Sequence, residues 1–463
     1  MRTTQDFVGD RAVVIGGSIA GTLAARVLAE SYREVVVVDR DKVVGVDKPR
    51  VGASHAVHAH GLHARGYLVM SELFPGLLEE ARAAGLSVRD FGAMHWYFHG
   101  RRTRPADTGL LSIAGNRPLL EGLLRARVAA LPNVVYRDCT EVLGPLTTSD
   151  RRTVIGVRLR PRVVDAPEQR RDADAVVGAT EPLDADLVVD ASGRGSRLPV
   201  WLAELGYERP EEERVKIRLA YTTRMFRRSP ETFDGPMAIN TIASPAHPRG
   251  AFFGQAASGH CLLSLTGMVG DHPPTDADGF LAYTRSLPVP DIHDAVRDAD
   301  PVTDAVSFKF PSAVWRHYER LARFPKRLVV LGDAVSCLNP VYGQGMTVAA
   351  TQAMALRSLL RGNPDPDTLD PRAAFARAVS GPWRLSSSGD LDFPGVVGSR
   401  PLRVRVHNAY LSRVQYAATK DPEVTRALMR VTGLIDPIRA LWRPRLVAKV
   451  WWLARNRPGR SVH

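Results

Sequence analysis

Residues 327–350 read RLVVLGDAVSCLNPVYGQGMTVAA. An apolar run breaks at Gly332-Asp333, passes Pro340, and enters Gly343-Gln344-Gly345-Met346 ahead of small and apolar residues. A short apolar run closed by glycine reads as a buried strand, and the residues after Gly345 read as a helix. The stretch therefore predicts a strand, a long glycine-bearing turn and a helix. Asp333 stands at the strand's C-terminal end, and the helix N-terminus turns free amides and a positive dipole end towards the same space.

Two earlier stretches share this design. AVVI (12–15) runs into GGSIAG (16–21), then TLAARVLAES, then EVVVVD (34–39), which is a βαβ unit. Gly16 and Gly21 take the first and third glycine places of a dinucleotide fingerprint, and Ser18 replaces the second. A Cβ there narrows the approach to a pyrophosphate, although the hydroxyl can donate to a phosphate oxygen. Asp39 ends the second strand, where a carboxylate can accept from a ribose. This fingerprint alone fits FAD and NAD(P) equally. The other stretch, ADLVVDASGRGS (185–196), is an apolar strand ending in Asp190-Ala191-Ser192-Gly193. Three such corners suit a flavin: a strand-end carboxylate for ribityl hydroxyls, glycines that let backbone approach the isoalloxazine edge, and a helix N-terminus for the negative charge of the reduced ring.

The order GGSIAG, DASGRGS, GDAVSCLNPVYGQGMTVAA resembles the FAD-dependent monooxygenases of the para-hydroxybenzoate hydroxylase fold. It is most similar to the actinobacterial branch related to squalene epoxidase and polyether flavin epoxidases. The likeness covers most of residues 10–390, and the third stretch is its most specific part. It implies an α/β fold: a Rossmann-like FAD-binding domain with an inserted antiparallel β-sheet substrate domain and a helical C-terminal part. The expected FAD-binding parts are 1–90, 113–205 and 311–390. The expected substrate parts are 91–112 and 206–310, with a helical region over 391–463. The expected FAD contacts are Gly16, Ser18, Gly21, Asp39, Arg40, Arg50, His58, His60, Arg117, Asp333, Pro340, Gly343, Gly345 and Met346. Arg117 opens a segment with Leu119, Leu120, Leu123 and Leu124 on one helical face, and in the resembled family that arginine reaches the FAD.

HAVHAHGLHARG (55–66) holds His55, His58, His60 and His63 and raises the question of a metal. Residues 58 and 60 share a side only in extended chain, and 55 and 58 only in a helix, so four converging ligands are not expected. In the resembled branch Arg50, Gly52, His58 and His60 match a chain passing the cofactor. His55 and Val57 depart from it, standing where glutamine and arginine are expected. The stretch is read as a cofactor loop, with His58 and His60 as polar supports beside the flavin.

FGAMHWYFHGRRTRP (91–105) and the alternating VKIRLAYTTRMFR, MAINTIAS and GHCLLSLTGMVG within 215–270 predict an antiparallel sheet forming one wall of the active site. Trp96, Phe98, Tyr221, Phe253 and Tyr342 are the expected lining of an apolar pocket. The resemblance implies an apolar small-molecule substrate, such as a polyketide or terpenoid. It also implies molecular oxygen as co-substrate and oxygen transfer through a flavin C4a-hydroperoxide. No catalytic acid, base or nucleophile is expected, because the cofactor carries the hard step. Ser192 stands where the better-known hydroxylases have an aspartate tied to NADPH use, which leaves either NADPH or a separate flavin reductase as electron source. The rival readings are a flavin-dependent reductase of the geranylgeranyl reductase type and a nucleotide-binding interaction protein. A flavin halogenase ranks lower, since no WxWxIP stretch is present.

The chain has 463 residues, 44% hydrophobic and 24% charged, as expected of a globular protein of more than one domain. Its net charge of +13 is dispersed, with no nucleic-acid motif, so nucleic-acid binding ranks low. Cys139, Cys261 and Cys337 lie far apart and read as reduced thiols. No secretion-type leader or membrane span is read, so a cytoplasmic protein is expected. Trp451-Trp452 among arginines allows peripheral membrane contact, but a helix packed on the flavin domain is the preferred reading. Residues 161–182 are expected to loop out.

Overall fold

In the computed structural model the described residues are 7–162, 178–228, 238–257, 259–363 and 365–457. Residues 163–177, most of the expected loop, lie outside them. The valine-rich runs form a five-stranded parallel sheet in the order Leu328–Val330, Leu187–Asp190, Gly9–Ile15, Tyr32–Val38, Val134–Arg137. Continuous apolar strands are what a parallel sheet covered on both faces requires. Alternate side chains divide between two cores. Ala12, Val14, Val35, Val37, Leu187 and Val189 pack with the helices Ile19–Leu28, Arg117–Ala129 and Gly345–Gly362. Val13, Ile15, Val36, Val38 and Val188 pack on the opposite side with Leu198, Trp201 and Trp383.

The second large sheet has seven strands in the order Val306–Phe310, Leu219–Arg227, His260–Gly267, Arg249–Gln255, Ala238–Ile242, His95–Phe98, Arg101–Arg102. All its neighbours pair antiparallel except Ala238–Ile242 with His95–Phe98, which is parallel. That pairing brings the 91–105 stretch into one sheet with residues more than a hundred positions later. One face carries Tyr97, Ile239, Phe253 and Leu263 against the helices Ala277–Arg285 and Asp291–Val296. The other face turns Trp96, Phe98, Phe252 and Ser264 towards the flavin-type corners.

The C-terminal part is helical, with helices Leu402–Ala418, Pro422–Thr432 and Pro444–Leu453. Their position corrects the preferred reading of the sequence. Tyr410, Val414, Leu428 and Met429 share one apolar cluster with Phe91, Met94, Trp96 and Phe98 of the substrate side, which Ala64 and Ala114 join from the cofactor side. Packing on the aromatic strand His95–Phe98 takes the apolar side chains of these helices out of water. Among the described residues no helix is long and apolar enough to cross a membrane.

Candidate active site

The three glycine corners meet. Gly16 has φ +100°, and a Cβ there would lie 2.7 Å from the Ala191 carbonyl oxygen in the second corner. A Cβ on Gly21 would fall 1.7 Å from the Gly16 oxygen, so the first helix can sit this low on the strand only with glycine there. A Cβ on Gly332 in the third corner would meet Ala20 of the first helix at 2.7 Å. The backbone ties the corners as well: Ala191 N–H donates to Ile15 O at 2.9 Å and Leu331 N–H to Asp190 O at 3.0 Å. The Asp190 carboxylate is consumed locally, accepting from Ser192 N–H at 2.9 Å and from the Ser192 and Ser196 hydroxyls.

Both cofactor-facing helices have bare N-termini. Ser18 and Gln344 make no side-chain cap, and neither first turn holds an acidic residue. Such ends attract an anion. At the first of them Arg50 Nη2 donates to Ser18 Oγ at 2.8 Å, while Nη1 lies 3.7 Å from Asp39 and 3.6 Å from Asp41. Asp39 accepts from Gly17 N–H at 2.7 Å and Asp41 N–H at 2.8 Å, which shapes the turn. Burial nonetheless raises its pKa. Arg40 is exposed and borders Gly52, where a Cβ would lie 3.2 Å from its Nε.

Glu121, a residue the sequence reading missed, is the hub between the two helix ends. It is buried, and three arginines converge on it: Arg117 Nε at 2.9 Å, Arg125 Nη1 at 3.0 Å and Arg50 Nη2 at 3.3 Å. Burial pushes its pKa up, but the arginines, Arg117 foremost, outweigh that and leave it lowered. The signal lay in the helical spacing of Arg117, Glu121 and Arg125, which puts all three on one side of a turn. Arg117 also explains two of the histidines. Its Nη1 donates to His55 Nε2 at 2.7 Å and to His60 Nε2 at 3.3 Å, and the His60 Nδ1–H donates to His58 O at 2.9 Å. Both rings must be neutral to accept. Burial, then the Arg117 charge, lowers His55 to about 3 and His60 well below its ordinary value. His55, the departure from the resembled pattern, is thus the closer partner of Arg117. His58 faces the substrate sheet, with Nδ1 2.7 Å from Thr223 Oγ1, and His63 Nδ1–H donates to Thr432 O at 2.8 Å. The four rings do not converge on one point: His55 and His60 share Arg117, His58 turns to Thr223 and His63 to Thr432, and no cluster of three or more metal-binding side chains occurs among the described residues.

In the third corner Asp333 is held up in pKa by burial, against the pull of Arg117 and then Arg194. A Cβ on Gly345 would sit 3.7 Å from Asp333 Oδ1. Met346 is buried and, with His60, Asn116 and Arg117, lines a small pocket beside the helix start. Gln344 is buried with Oε1 unpartnered in the protein.

Between this corner, the seven-stranded sheet and the C-terminal helices lies a cavity of about 240 Å³. Pro340, Tyr342 and Gly343 form one wall; Trp96, Phe98 and Tyr221 belong to the sheet wall; Leu411 and Leu428 come from the helices. Phe253 does not line it. That residue is fully buried on the opposite face of the sheet with Phe280 and Tyr283, and its neighbour Phe252 occupies the cavity position. Successive strand residues point to opposite faces, so a one-residue error in facing exchanges pocket for core.

A parallel sheet with three glycine corners, two bare helix ends and a neighbouring apolar cavity has the layout of a dinucleotide-dependent enzyme. Residues 11–379 match the FAD binding domain family, and the chain belongs to that family. It is an FAD-dependent oxidoreductase. Protein Rv3254 of Mycobacterium tuberculosis is 34% identical over 447 residues, spanning 93% of this chain and 90% of that protein. The FAD-dependent monooxygenase asqG of Emericella nidulans is 24% identical over 382 residues, 75% of this chain and 59% of that protein. The crystal structure of pqsL from Pseudomonas aeruginosa shares the fold, with a TM-score of 0.58 at 18% identity over 90% of this chain and 98% of that one.

Proposed function

We propose that the protein is an FAD-dependent monooxygenase that adds one atom of molecular oxygen to an apolar small molecule of the polyketide or terpenoid type, by epoxidation or hydroxylation. The observation that carries this reading is the shared wall: the turn Pro340–Gly343, which borders the cofactor corner, is also a wall of the apolar cavity. The residues fit FAD, because Gly16, Gly21 and Gly332 leave no room for a side chain and so line the corners with backbone, and Gln344 Oε1 has no protein partner. When bound and reduced, FAD supplies the activation of oxygen.

The chain's own groups bind and orient. Ser18 and Arg50, at the first helix end, hold the pyrophosphate, and Asp39 the ribose. Asp333 would take the ribityl hydroxyls, and the amides of Gly345 and Met346 at the helix N-terminus would stabilise negative charge on the reduced ring. The neutral His55 and His60 hold Arg117 in place, from where it would contact the FAD. Trp96, Phe98 and Phe252 with the C-terminal helices exclude water from the substrate. Electrons come from NADPH or a separate flavin reductase; Ser192, folded back on Asp190, supports the latter. Exposed Trp451 and Trp452, with Arg413 and Arg455 over their rings, support peripheral membrane contact of a cytoplasmic protein.

The test is anaerobic reduction of the bound flavin, then mixing with labelled oxygen and a panel of apolar alkenes and phenols. A product heavier by one labelled oxygen atom supports the reading. Saturation of a double bond without oxygen uptake would assign the protein to the flavin-dependent reductases instead.

A further inference from the structure

The turn side of the cavity contains polar groups that no step above uses. Asp390 is fully buried and is the last residue of the helix Arg372–Asp390, where the negative dipole end adds to the cost of its charge. Its Oδ1 accepts from Asn339 Nδ2 at 2.7 Å, and Asn339 is oriented in turn by accepting from Val341 N–H at 3.0 Å. The Tyr342 hydroxyl lies against Gly389 and beside the Asp390 carboxyl. The hydroxyl of Tyr221, which lines the sheet side, has no partner in the protein. Buried polar atoms are nearly always satisfied, so unpaired ones around a cavity mark where a ligand supplies the partner. Asp392 lines the same region, so two carboxyl groups disfavour an anion there.

We propose that Tyr221 and Tyr342, the latter positioned by Asp390 and Asn339, form a hydrogen-bonding subsite that receives a neutral hydroxyl or phenol group of the substrate. This deepens the reading of the cavity as the substrate site and rests on it. The apolar walls hold the hydrocarbon body, and the tyrosine end sets which part of it faces the Pro340–Gly343 turn. Tyr221 and Tyr342 touch the ligand; Asp390 is a positioning residue. A site built to bond a hydroxyl discriminates against an analogue that cannot pair with it.

The test is binding without turnover to the oxidised holoenzyme, read from perturbation of the flavin absorbance. Three matched probes are used: 2-naphthol, 2-methoxynaphthalene and 2-naphthoate. Wild type is expected to bind 2-naphthol about tenfold more tightly than the methoxy compound, with 2-naphthoate weakest. Tyr221→Phe and Tyr342→Phe should abolish that preference while leaving 2-methoxynaphthalene affinity unchanged. Asp390→Asn should reduce the preference with the flavin spectrum intact, and Asp390→Glu should restore part of it. Absence of a 2-naphthol preference in wild type, tightest binding of 2-naphthoate, or a preference that survives both tyrosine variants would overturn the proposal. Because no oxygen is consumed in this assay, its outcome is separate from whether the enzyme is a monooxygenase.

Discussion

Replacing Glu121 by glutamine removes the one carboxylate on which Arg50, Arg117 and Arg125 converge. Their fates differ. Arg50 keeps Asp39 and Asp41 within 3.7 Å, and Arg117 keeps the acceptors His55 and His60. Arg125, 2% exposed, keeps only the Val46 carbonyl and loses its counter-charge. Stranding one buried charge costs about 3–5 kcal/mol. The lower end applies, since the glutamine oxygen still accepts a hydrogen bond. In a urea titration of the FAD-free protein at pH 7, about 3 kcal/mol with a slope of about 3 kcal/mol per molar moves the midpoint down by about 1 M. Adding Arg125→Met removes the stranded charge, so the double variant should regain most of that loss, a coupling of about 2 kcal/mol. The sign with pH follows from the lowered pKa of Glu121. Its stabilisation is full above its unfolded value of about 4.3 and is lost as pH falls through the lower folded value, so the gap between wild type and variant closes in acid. An unshifted midpoint at pH 7, or a double variant weaker than the single one, would refute this account of the hub.

Asp390 behaves in the opposite sense. Burial raises its pKa from the ordinary 3.8 to about 7, so this group lowers stability as pH climbs between those values, by about 4 kcal/mol in all. Asp390→Asn should therefore gain stability relative to wild type from pH 4 to 7 and level off above, as followed by thermal melts across that range; a flat difference refutes it. Phe253→Ala should lower unfolding free energy by about 3–5 kcal/mol as a core truncation, whereas Phe252→Ala should change substrate binding with less effect on stability. Gly21→Ala, whose methyl would fall 1.7 Å from the Gly16 oxygen, should abolish retention of FAD through purification, read as loss of the flavin absorbance. Full flavin occupancy in that variant would show that the first corner is not held by helix-to-strand contact.

By itself the sequence determined the elements that local chemistry dictates. Uninterrupted runs such as AVVI and EVVVVD can only be strands covered on both faces, and glycines at 16 and 21 are demanded by a turn and a contact within one βαβ unit. The order of the three corners was likewise legible, because each carries its own strand, glycine and helix. Tertiary structure alone decided what depends on distant chain segments. Glu121 and His55 acquire meaning only when residues 50, 55, 60 and 117 are brought together, and nothing in the spacing from 50 to 117 encodes that approach. The exchange of Phe253 for Phe252 turns on register, which cross-strand pairing sets and a single strand's pattern leaves ambiguous. The C-terminal helices border the cavity because their apolar faces pack on the aromatic strand His95–Phe98, an approach of segments about three hundred residues apart that no local pattern encodes.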